Sequence, residues 1–230
     1  MAQIQVETML SGVIQVCREC PMRTLVQAYV DAARKLCNHS RWLLSNVPGV
    51  TVAGTQVYTF DLAATGDTFN EVIGIQAMSL SENATTINAL TEGFSGGWDP
   101  NPALNGNQTG LPSDYQYVPQ GKVALSHIPN AIYSFTATVV LQPKRASVSV
   151  EDRLASVWDA ALEAGALAYL LALPRTPWTD KTEARMQGAL FEDFKNQAAS
   201  SVQRGYNAGA QHTNRHASSS GMLRTRVQPI

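Results

Sequence analysis

The chain has 230 residues, of which 44% are apolar and only 15% charged, and its formal net charge is −1 at pH 7. Ordinary soluble domains carry about 25% charged residues, so much of this surface must be neutral polar or covered by partners. The small net charge argues against broad binding to nucleic acid or to a membrane surface, since both would need a strong positive field. The length permits one large domain or two small ones.

The first helical pattern follows a segment without targeting features. The N-terminal MAQIQVETMLSGVIQVCREC lacks the basic start and continuous apolar stretch of a secretory signal. Three cysteines do not make a disulfide framework, so we expect a reducing, intracellular compartment. Pro21 can occupy the first turn of a helix, and apolar residues then recur at helical spacing up to Leu36. A shorter pattern over 9–16 predicts a helix that packs back on this one.

Strand periodicity begins near Pro48. The segments TQVYTFDL, EVIGIQAMSL and TTINAL are predicted as strands. KVALSHI and IYSFTATVVLQP are separated by a short turn, which predicts an antiparallel hairpin. The middle of the chain is therefore interpreted as an antiparallel sheet or small sandwich.

A long loop is predicted over residues 92–121, which are dense in Gly, Pro and Asn and have no sustained period. Loops of this length in compact domains are usually disordered or functional. This one carries Trp98, Tyr115 and Tyr117, which a purely solvated linker would not need. We expect these three rings to contact a partner.

Helical periodicity returns at Val150, and from Ala164 to Leu173 the polar side of the helix disappears. Ten apolar residues are too few to cross a bilayer core of about 30 Å, so this segment must be covered by its own domain or by a neighbouring subunit. After two prolines, Asp180 and Glu183 have capping-box spacing and predict another helix up to Gly205. The packing spine, which could extend into an intersubunit seam, comprises Trp158, Leu162, Gly165, Tyr169 and Trp178.

The last 25 residues, 206–230, contain no acidic residue and few apolar ones before Met222. Such a segment should not fold alone. One interpretation is a solvated tail. The favoured interpretation is a tail that folds onto a partner through Met222, Leu223, Val227 and Ile230, with Arg224 and Arg226 pairing with acidic groups.

The predicted fold class is α+β. Residues 1–47 and 150–205 form one helical bundle domain, and 48–149 form an inserted β domain that includes the 92–121 loop. Residues 206–230 form an extended docking tail.

No catalytic, cofactor or metal site is predicted. Cys17, Cys20, Cys37 and His39 superficially resemble a zinc set, but a helix over 21–37 would separate Cys20 from Cys37 by roughly 25 Å. We therefore expect buried structural cysteines. The histidines have no metal-binding spacing, no nucleophile or phosphate-loop motif occurs, and the acidic residues of the last helices match solvent-facing positions.

The order of these elements resembles the head-to-tail adaptor proteins of tailed bacteriophages, and in particular the tail tubular protein A-like adaptors of short-tailed phages. The resemblance covers CPMRTLVQAYVDAARKLCNHSRWL, QVYTFDL and the segment from Leu111 to Ala146. Its most specific part is residues 154–205, with a Trp-containing start, an Ala/Gly-rich spine, LPRTPWTD and a Phe-rich final helix.

The resemblance implies a virion protein without enzymatic activity, made in the host cytoplasm and placed at the head–tail junction. It would form a ring, expected to be a dodecamer, that links the portal protein to the tail tube or nozzle. Genomic DNA would pass through the ring without specific binding, and no membrane or cofactor would be involved. The helices at 21–45 and 151–205 would build the ring. The β domain with its long loop, which carries Trp98, Tyr115 and Tyr117, would face the next tail component, and the tail after Gly205 would clasp the portal.

Two other functions stay open at this point. A carbohydrate- or receptor-binding virion module would stack Trp98, Tyr115 and Tyr117 on sugar rings. A hydrolase would use scattered carboxylates with His127, and a His127→Ala change would abolish its turnover.

Overall fold

The computed structural model describes residues 2–82, 86–93 and 109–218. Within these residues the protein is a mixed α+β structure with four α-helices and a curled mixed β-sheet. The helices are α1 (Ser11–Val16), α2 (Met22–Ser40), α3 (Asp152–Leu171) and α4 (Lys181–Ser218). All four were predicted from helical spacing.

The strands fall between α2 and α3, apart from a short one at the N-terminus. They are β1 (Gln3–Gln5), β2 (Leu44–Val50), β3 (Val57–Thr59), β4 (Asn70–Glu82), β5 (Thr86–Glu92), β6 (Thr109–Gly110), β7 (Asp114–Val118), β8 (Lys122–Leu125), β9 (Ile128–Pro129), β10 (Ser134–Pro143) and β11 (Ser149–Glu151). Seven of them form one sheet in the order β2-β10-β4-β5-β7-β8-β3. The β5–β7 pair is parallel and the other pairs in this sheet are antiparallel.

The predicted hairpin between KVALSHI and IYSFTATVVLQP is wrong. β8 pairs with β7 and β3, whereas β10 pairs with β2 and β4. β10 has ten residues and alternates buried Phe135, Ala137 and Val139 with more exposed positions. The four-residue β8 cannot cover it, so the longer β4 does, with a register that runs from Asn70 to Ser81.

Of the strands that the sequence did not predict, two, β2 and β7, belong to the seven-stranded sheet. β2 begins before the expected boundary and contains Pro48, which is tolerated because β2 is an edge strand of the sheet. β6 and β7 lie inside the predicted 92–121 loop, so the loop prediction is wrong for residues 109–110 and 114–118. Residues 94–108 of that loop lie outside the described residues.

Local signals fix the helix starts. Pro21 precedes α2 directly, as predicted. The Asp180 carboxylate accepts hydrogen bonds from the backbone N–H groups of Thr182 at 2.9 Å and Glu183 at 3.0 Å. These bonds cap α4, as the spacing of Asp180 and Glu183 predicted.

The helix predicted to end at Gly205 instead continues to Ser218, so residues 206–218 are not an extended tail. One glycine inside a helix costs only about 1 kcal/mol relative to alanine. The next residue that breaks helices outright is Pro229. Neither the glycine at position 205 nor the distant Pro229 requires the helix to end at residue 205.

The helices and the sheet share one hydrophobic core. α2 contacts β10 as well as α3 and α4, so it links the sheet to the helical hairpin that α3 and α4 form. The Arg34 guanidinium strengthens this link, since it donates to the Pro143 carbonyl and lies 2.8 Å from a Glu71 carboxylate oxygen. The buried apolar residues form one cluster that reaches from α1 through the sheet to Ala198 of α4.

Candidate assembly surfaces

The apolar part of α3 is buried within its own chain. Leu162 is fully buried, and a Cβ atom added at Gly165 would lie 2.8 Å from the Ala32 Cβ and 2.9 Å from the Phe191 ring. The absence of a side chain at Gly165 therefore lets α2 and α4 approach α3 closely. These two spine residues lie between helices of one protomer.

α3 has 20 residues and is therefore longer than the ten-residue apolar run from Ala164 to Leu173. Asp152–Leu171 is long and apolar enough to cross a membrane by length and composition alone. Of its most apolar window, 56% is buried against the rest of the chain. The contacts with α2 and α4 account for that apolar composition by packing.

A second feature of α3 is a kink at Trp158, whose backbone has φ −119° and ψ 20°. The half-buried Trp158 ring meets Trp42 edge-to-face, with ring centroids 6.2 Å apart. Its indole N–H is buried and has no hydrogen-bond partner among the described residues. A cleft of about 590 Å³ opens beside this ring and is lined by polar side chains of α4: Asp193, Asn196, Gln197, Ser200, Ser201 and Arg204.

The other two predicted spine residues lie at the surface or near it. Tyr169 is exposed and borders a cleft of about 330 Å³ that Arg34, Lys35 and Arg145 also line. Trp178 is half-buried in the connection between α3 and α4. An intersubunit role for the spine thus stays a prediction that involves Trp158, Tyr169 and Trp178 more than Leu162 and Gly165.

The aromatic residues of the predicted loop do not form one surface platform. Tyr115 is buried in the sheet, and the Tyr117 hydroxyl donates to the Val72 carbonyl at 3.0 Å. Trp98 lies outside the described residues. Burial of Tyr115 removes one of the three rings on which sugar stacking depended.

The predicted docking residues of the tail cannot be placed. Met222, Leu223, Arg224, Arg226, Val227 and Ile230 lie outside the described residues. Their proposed role stays a prediction from sequence and resemblance.

Among the described residues, the side chains considered for catalysis or metal binding do not lie together in one site. In the described ranges, no group of three His, Cys, Asp or Glu side chains could hold a metal ion. His127 Nδ1 lies 3.1 Å from the Ser126 hydroxyl, but that hydroxyl already accepts the backbone N–H groups of Ser113 and Asp114. These bonds occupy the serine oxygen in a turn, which gives it a structural role.

All three cysteines are buried free thiols, as predicted. Burial raises the pKa of Cys17 to about 11, with a further increase from nearby Cys20, and raises the pKa of Cys37 to about 12. Burial also raises the pKa of Cys20. Since the thiolate is the reactive form, burial and raised pKa together protect these groups.

We expect Cys17 and Cys37 to react slowly with iodoacetamide at pH 8 in the folded protein and all three thiols to react readily in denaturant. Mass spectrometry of digested protein at several times measures each site. A Val57→Cys variant supplies an exposed thiol as the internal control, because Val57 is 45% exposed. Labelling of Cys37 as fast as the introduced thiol of this variant would contradict the buried assignment.

Sequence reasoning missed two features of these surfaces. Trp42 follows the end of α2, where periodicity no longer indicates a partner. Glu151 precedes α3 and looked solvent-facing, yet it is buried and pairs with Arg153, with two nitrogen–oxygen distances of 2.6 Å. The Glu-x-Arg spacing of residues 151–153 is the one available signal, and it is too common to identify a buried ion pair.

Comparison with known proteins adds no family assignment. No protein-family model matches the chain, and no curated protein matches it.

Proposed function

We propose that the protein is a structural virion component, a head-to-tail adaptor whose copies form a ring between the portal and the tail tube or nozzle. In this proposal α2, α3 and α4 form the helical bundle of the ring and the sheet is a module inserted into it. The C-terminal segment docks on the portal. DNA passes through the ring without specific contacts.

The observation that carries the proposal is the length of α4. A helix rises about 1.5 Å per residue, so the 38 residues of α4 span roughly 57 Å and the 20 residues of α3 roughly 30 Å. The two helices are joined by the short connection 172–180 and pack against each other. α4 therefore extends roughly 27 Å beyond the length that α3 can cover.

A projecting helix is unfavourable in a free monomer, because a helix gains most of its stability from packing on other elements. Such a helix suits a protein that contacts a neighbouring molecule with the end of that helix. The apolar residues of the final segment, from Met222 to Ile230, begin four residues after the end of this helix at Ser218. They would supply the contact at its end.

The overall balance of charged residues is compatible with a channel through which DNA moves. A strongly basic lumen would bind phosphates and retard the movement of DNA. The chain has 17 basic and 18 acidic side chains, so no large excess of positive charge is available. The resemblance of residues 154–205 to these adaptors supports this specific identity, and the segment folds into the α3–α4 hairpin.

Negative-stain imaging of the full-length protein mixed with its cognate portal tests the proposal. We expect a ring at one end of the portal for the full-length chain and none for a variant that ends at Gly205. A second variant that ends at Ser218 keeps α4 and separates the helix from the segment that follows it. Absence of any portal binding by the full-length protein would reject the adaptor function.

A further inference from the structure

The cleft of about 330 Å³ between α2 and α3 gathers positive charge. The charged side chains that line it are three cations and one acid: Arg34, Lys35, Arg145 and Asp31. The cations come from two separate parts of the chain, α2 and the segment that follows β10, so the fold brings them together. We call this cleft the basic cleft.

Small residues make room for the basic cleft. Ala28 and Ala32 of α2 and Gly165 of α3 line it, and both alanines are 2% exposed. Longer side chains at these positions would fill the space between the two helices. Small-molecule sites have volumes of roughly 300–1,000 Å³, so the basic cleft has room for a small ligand and for more than a single ion.

The acidic side chains of this region are engaged by other groups. Asp31 Oδ1 accepts a hydrogen bond from Gln27 Nε2 at 3.0 Å, and the same nitrogen donates to the Arg145 carbonyl at 3.3 Å. Glu71 does not line the basic cleft, and its carboxylate lies 2.8 Å from the Arg34 guanidinium. The charge of Arg34 is therefore largely balanced within the protein.

The other two cations have no such partner. Lys35 and Arg145 are exposed, and among the described residues their side chains have no ion pair and no hydrogen bond. The Tyr169 hydroxyl and the Asn38 side-chain amide also line the basic cleft, and neither has a hydrogen-bond partner in the described part of the chain. Two cations and two neutral donors are thus available to an anion.

These donors match a phosphate group. A phosphate monoester has a charge of about −1.5 to −2 at pH 7 and three strong acceptor oxygens, whereas a carboxylate has only two oxygens and a single charge. Guanidinium and ammonium groups are the usual protein partners of phosphate. The Tyr169 ring, 47% exposed, provides an aromatic surface on which a sugar or base attached to the phosphate packs.

A small phosphorylated molecule suits the basic cleft better than a nucleic-acid strand. A strand requires positive charge along a surface that follows several phosphates. The chain as a whole has 17 basic and 18 acidic side chains and therefore no excess of positive charge. The two unpaired cations match a single phosphate group.

We propose that the basic cleft binds a phosphorylated small molecule, with its phosphate on Lys35 and Arg145 and its ring on Tyr169. Asn38 and the Tyr169 hydroxyl donate to the remaining phosphate oxygens. All these residues belong to one protomer, so the inference does not depend on the proposed adaptor function.

Isothermal titration calorimetry of the full-length protein with adenosine monophosphate tests the inference. Lys35→Gln/Arg145→Gln removes both unpaired cations and should weaken binding about 10-fold or more, because charged hydrogen bonds are lost. Lys181→Gln/Arg185→Gln is the matched control, since both side chains are exposed on α4 and neither lines the basic cleft. We expect this control to bind the nucleotide as wild type does.

Variants of Tyr169 test the position of the ring. Tyr169→Phe keeps the aromatic surface and removes only the hydroxyl, whereas Tyr169→Leu removes both. We expect adenosine monophosphate to bind Tyr169→Leu more weakly than Tyr169→Phe. Equal binding by these two variants would overturn the placement of the ligand ring on Tyr169.

Two further probes identify the source of the phosphate. Inorganic phosphate should bind more weakly than adenosine monophosphate, and a short single-stranded oligonucleotide should bind no more tightly than it. Tighter binding of the oligonucleotide that depends on Lys35 and Arg145 would assign the cleft to a nucleic-acid strand and overturn the small-molecule ligand.

Two results would overturn the basic cleft as a phosphate site altogether. The first is equal binding of adenosine monophosphate by Lys35→Gln/Arg145→Gln and by the control. The second is no binding by wild type at millimolar nucleotide. If sedimentation velocity then shows that Lys35→Gln/Arg145→Gln abolishes self-association, carboxylates of a second copy occupy the cleft instead.

Discussion

Replacing Gly165 with leucine is expected to lower the free energy of unfolding by about 3 kcal/mol or more, because the helix crossing has no room for a side chain. The first added carbon alone would approach the Ala32 Cβ to 2.8 Å and the Phe191 ring to 2.9 Å. Ala32 is on α2 and Phe191 on α4, so relief at one contact tightens the other. Denaturant unfolding followed by circular dichroism measures the loss.

A pair of alanine variants provides the control for helix propensity. Alanine favours a helix over glycine by about 1 kcal/mol. At Gly188 of α4 the added Cβ would meet only the Ala168 Cβ, at 4.0 Å, so Gly188→Ala should raise stability. Gly165→Ala should lower it, and an Ala32→Gly change should recover part of that loss. Equal effects of the two alanine variants would show that Gly165 is not a packing constraint.

The same crossing illustrates what the sequence could predict. The spacing of Leu25, Tyr29 and Leu36 identified α2, and the loss of polar residues after Ala164 identified a helix covered on all sides. The cap at Asp180 was also readable, because one side chain and two nearby N–H groups determine it. These features are local, and local geometry follows from sequence spacing.

Strand partners were less predictable because they depend on distant residues. Alternation identified β4 and most of β10, but it carries no information about which strands pair. The predicted strand KVALSHI seemed the obvious partner of β10, yet β10 pairs with β4 and β2. The burial of Tyr115 was missed for the same reason, since β5 pairs with β7 in parallel across the intervening segment.

The candidate surfaces differ in the same way in how far the sequence could predict them. The interior of the spine, Leu162 and Gly165, could be predicted as packing residues from helical spacing. The uncharged outward side of β2 and β10 could not, since it becomes continuous only when the two strands pair in the observed register. The absence of charge over 42–60 and 123–143 was present in the sequence, but only the sheet joins the two segments into one surface.

Arg153→Ala is expected to lower the free energy of unfolding at pH 7 by about 3 kcal/mol, the lower end of the range for a broken buried ion pair. Glu151 is 1% exposed and its Oε1 accepts hydrogen bonds from Arg153. The lower end applies because the Arg153 side chain is 59% exposed, so water screens part of the interaction. Thermal and denaturant unfolding both measure the loss.

The pH dependence of this loss identifies its cause. Burial raises the pKa of Glu151 above its usual 4.5, against the opposing effect of Arg153. A carboxyl group whose pKa is raised by folding contributes stability below about pH 4.5 that is lost as pH rises through its folded pKa. Without Arg153 this pKa rises further, so the Arg153→Ala deficit should grow as pH rises through the folded pKa of wild-type Glu151, which lies above 4.5, towards neutrality.

Three further variants separate the effect of the buried carboxylate from general charge effects. Arg153→Ala combined with Glu151→Gln has no carboxylate at this position, so its stability relative to Glu151→Gln alone should not depend on pH in this window. Glu192→Gln removes an exposed carboxylate, 61% accessible, that pairs with Lys195, and should cost less than about 1 kcal/mol. A pH-independent deficit in Arg153→Ala would mean that Arg153 acts by packing, since only an ionised Glu151 links the loss to pH.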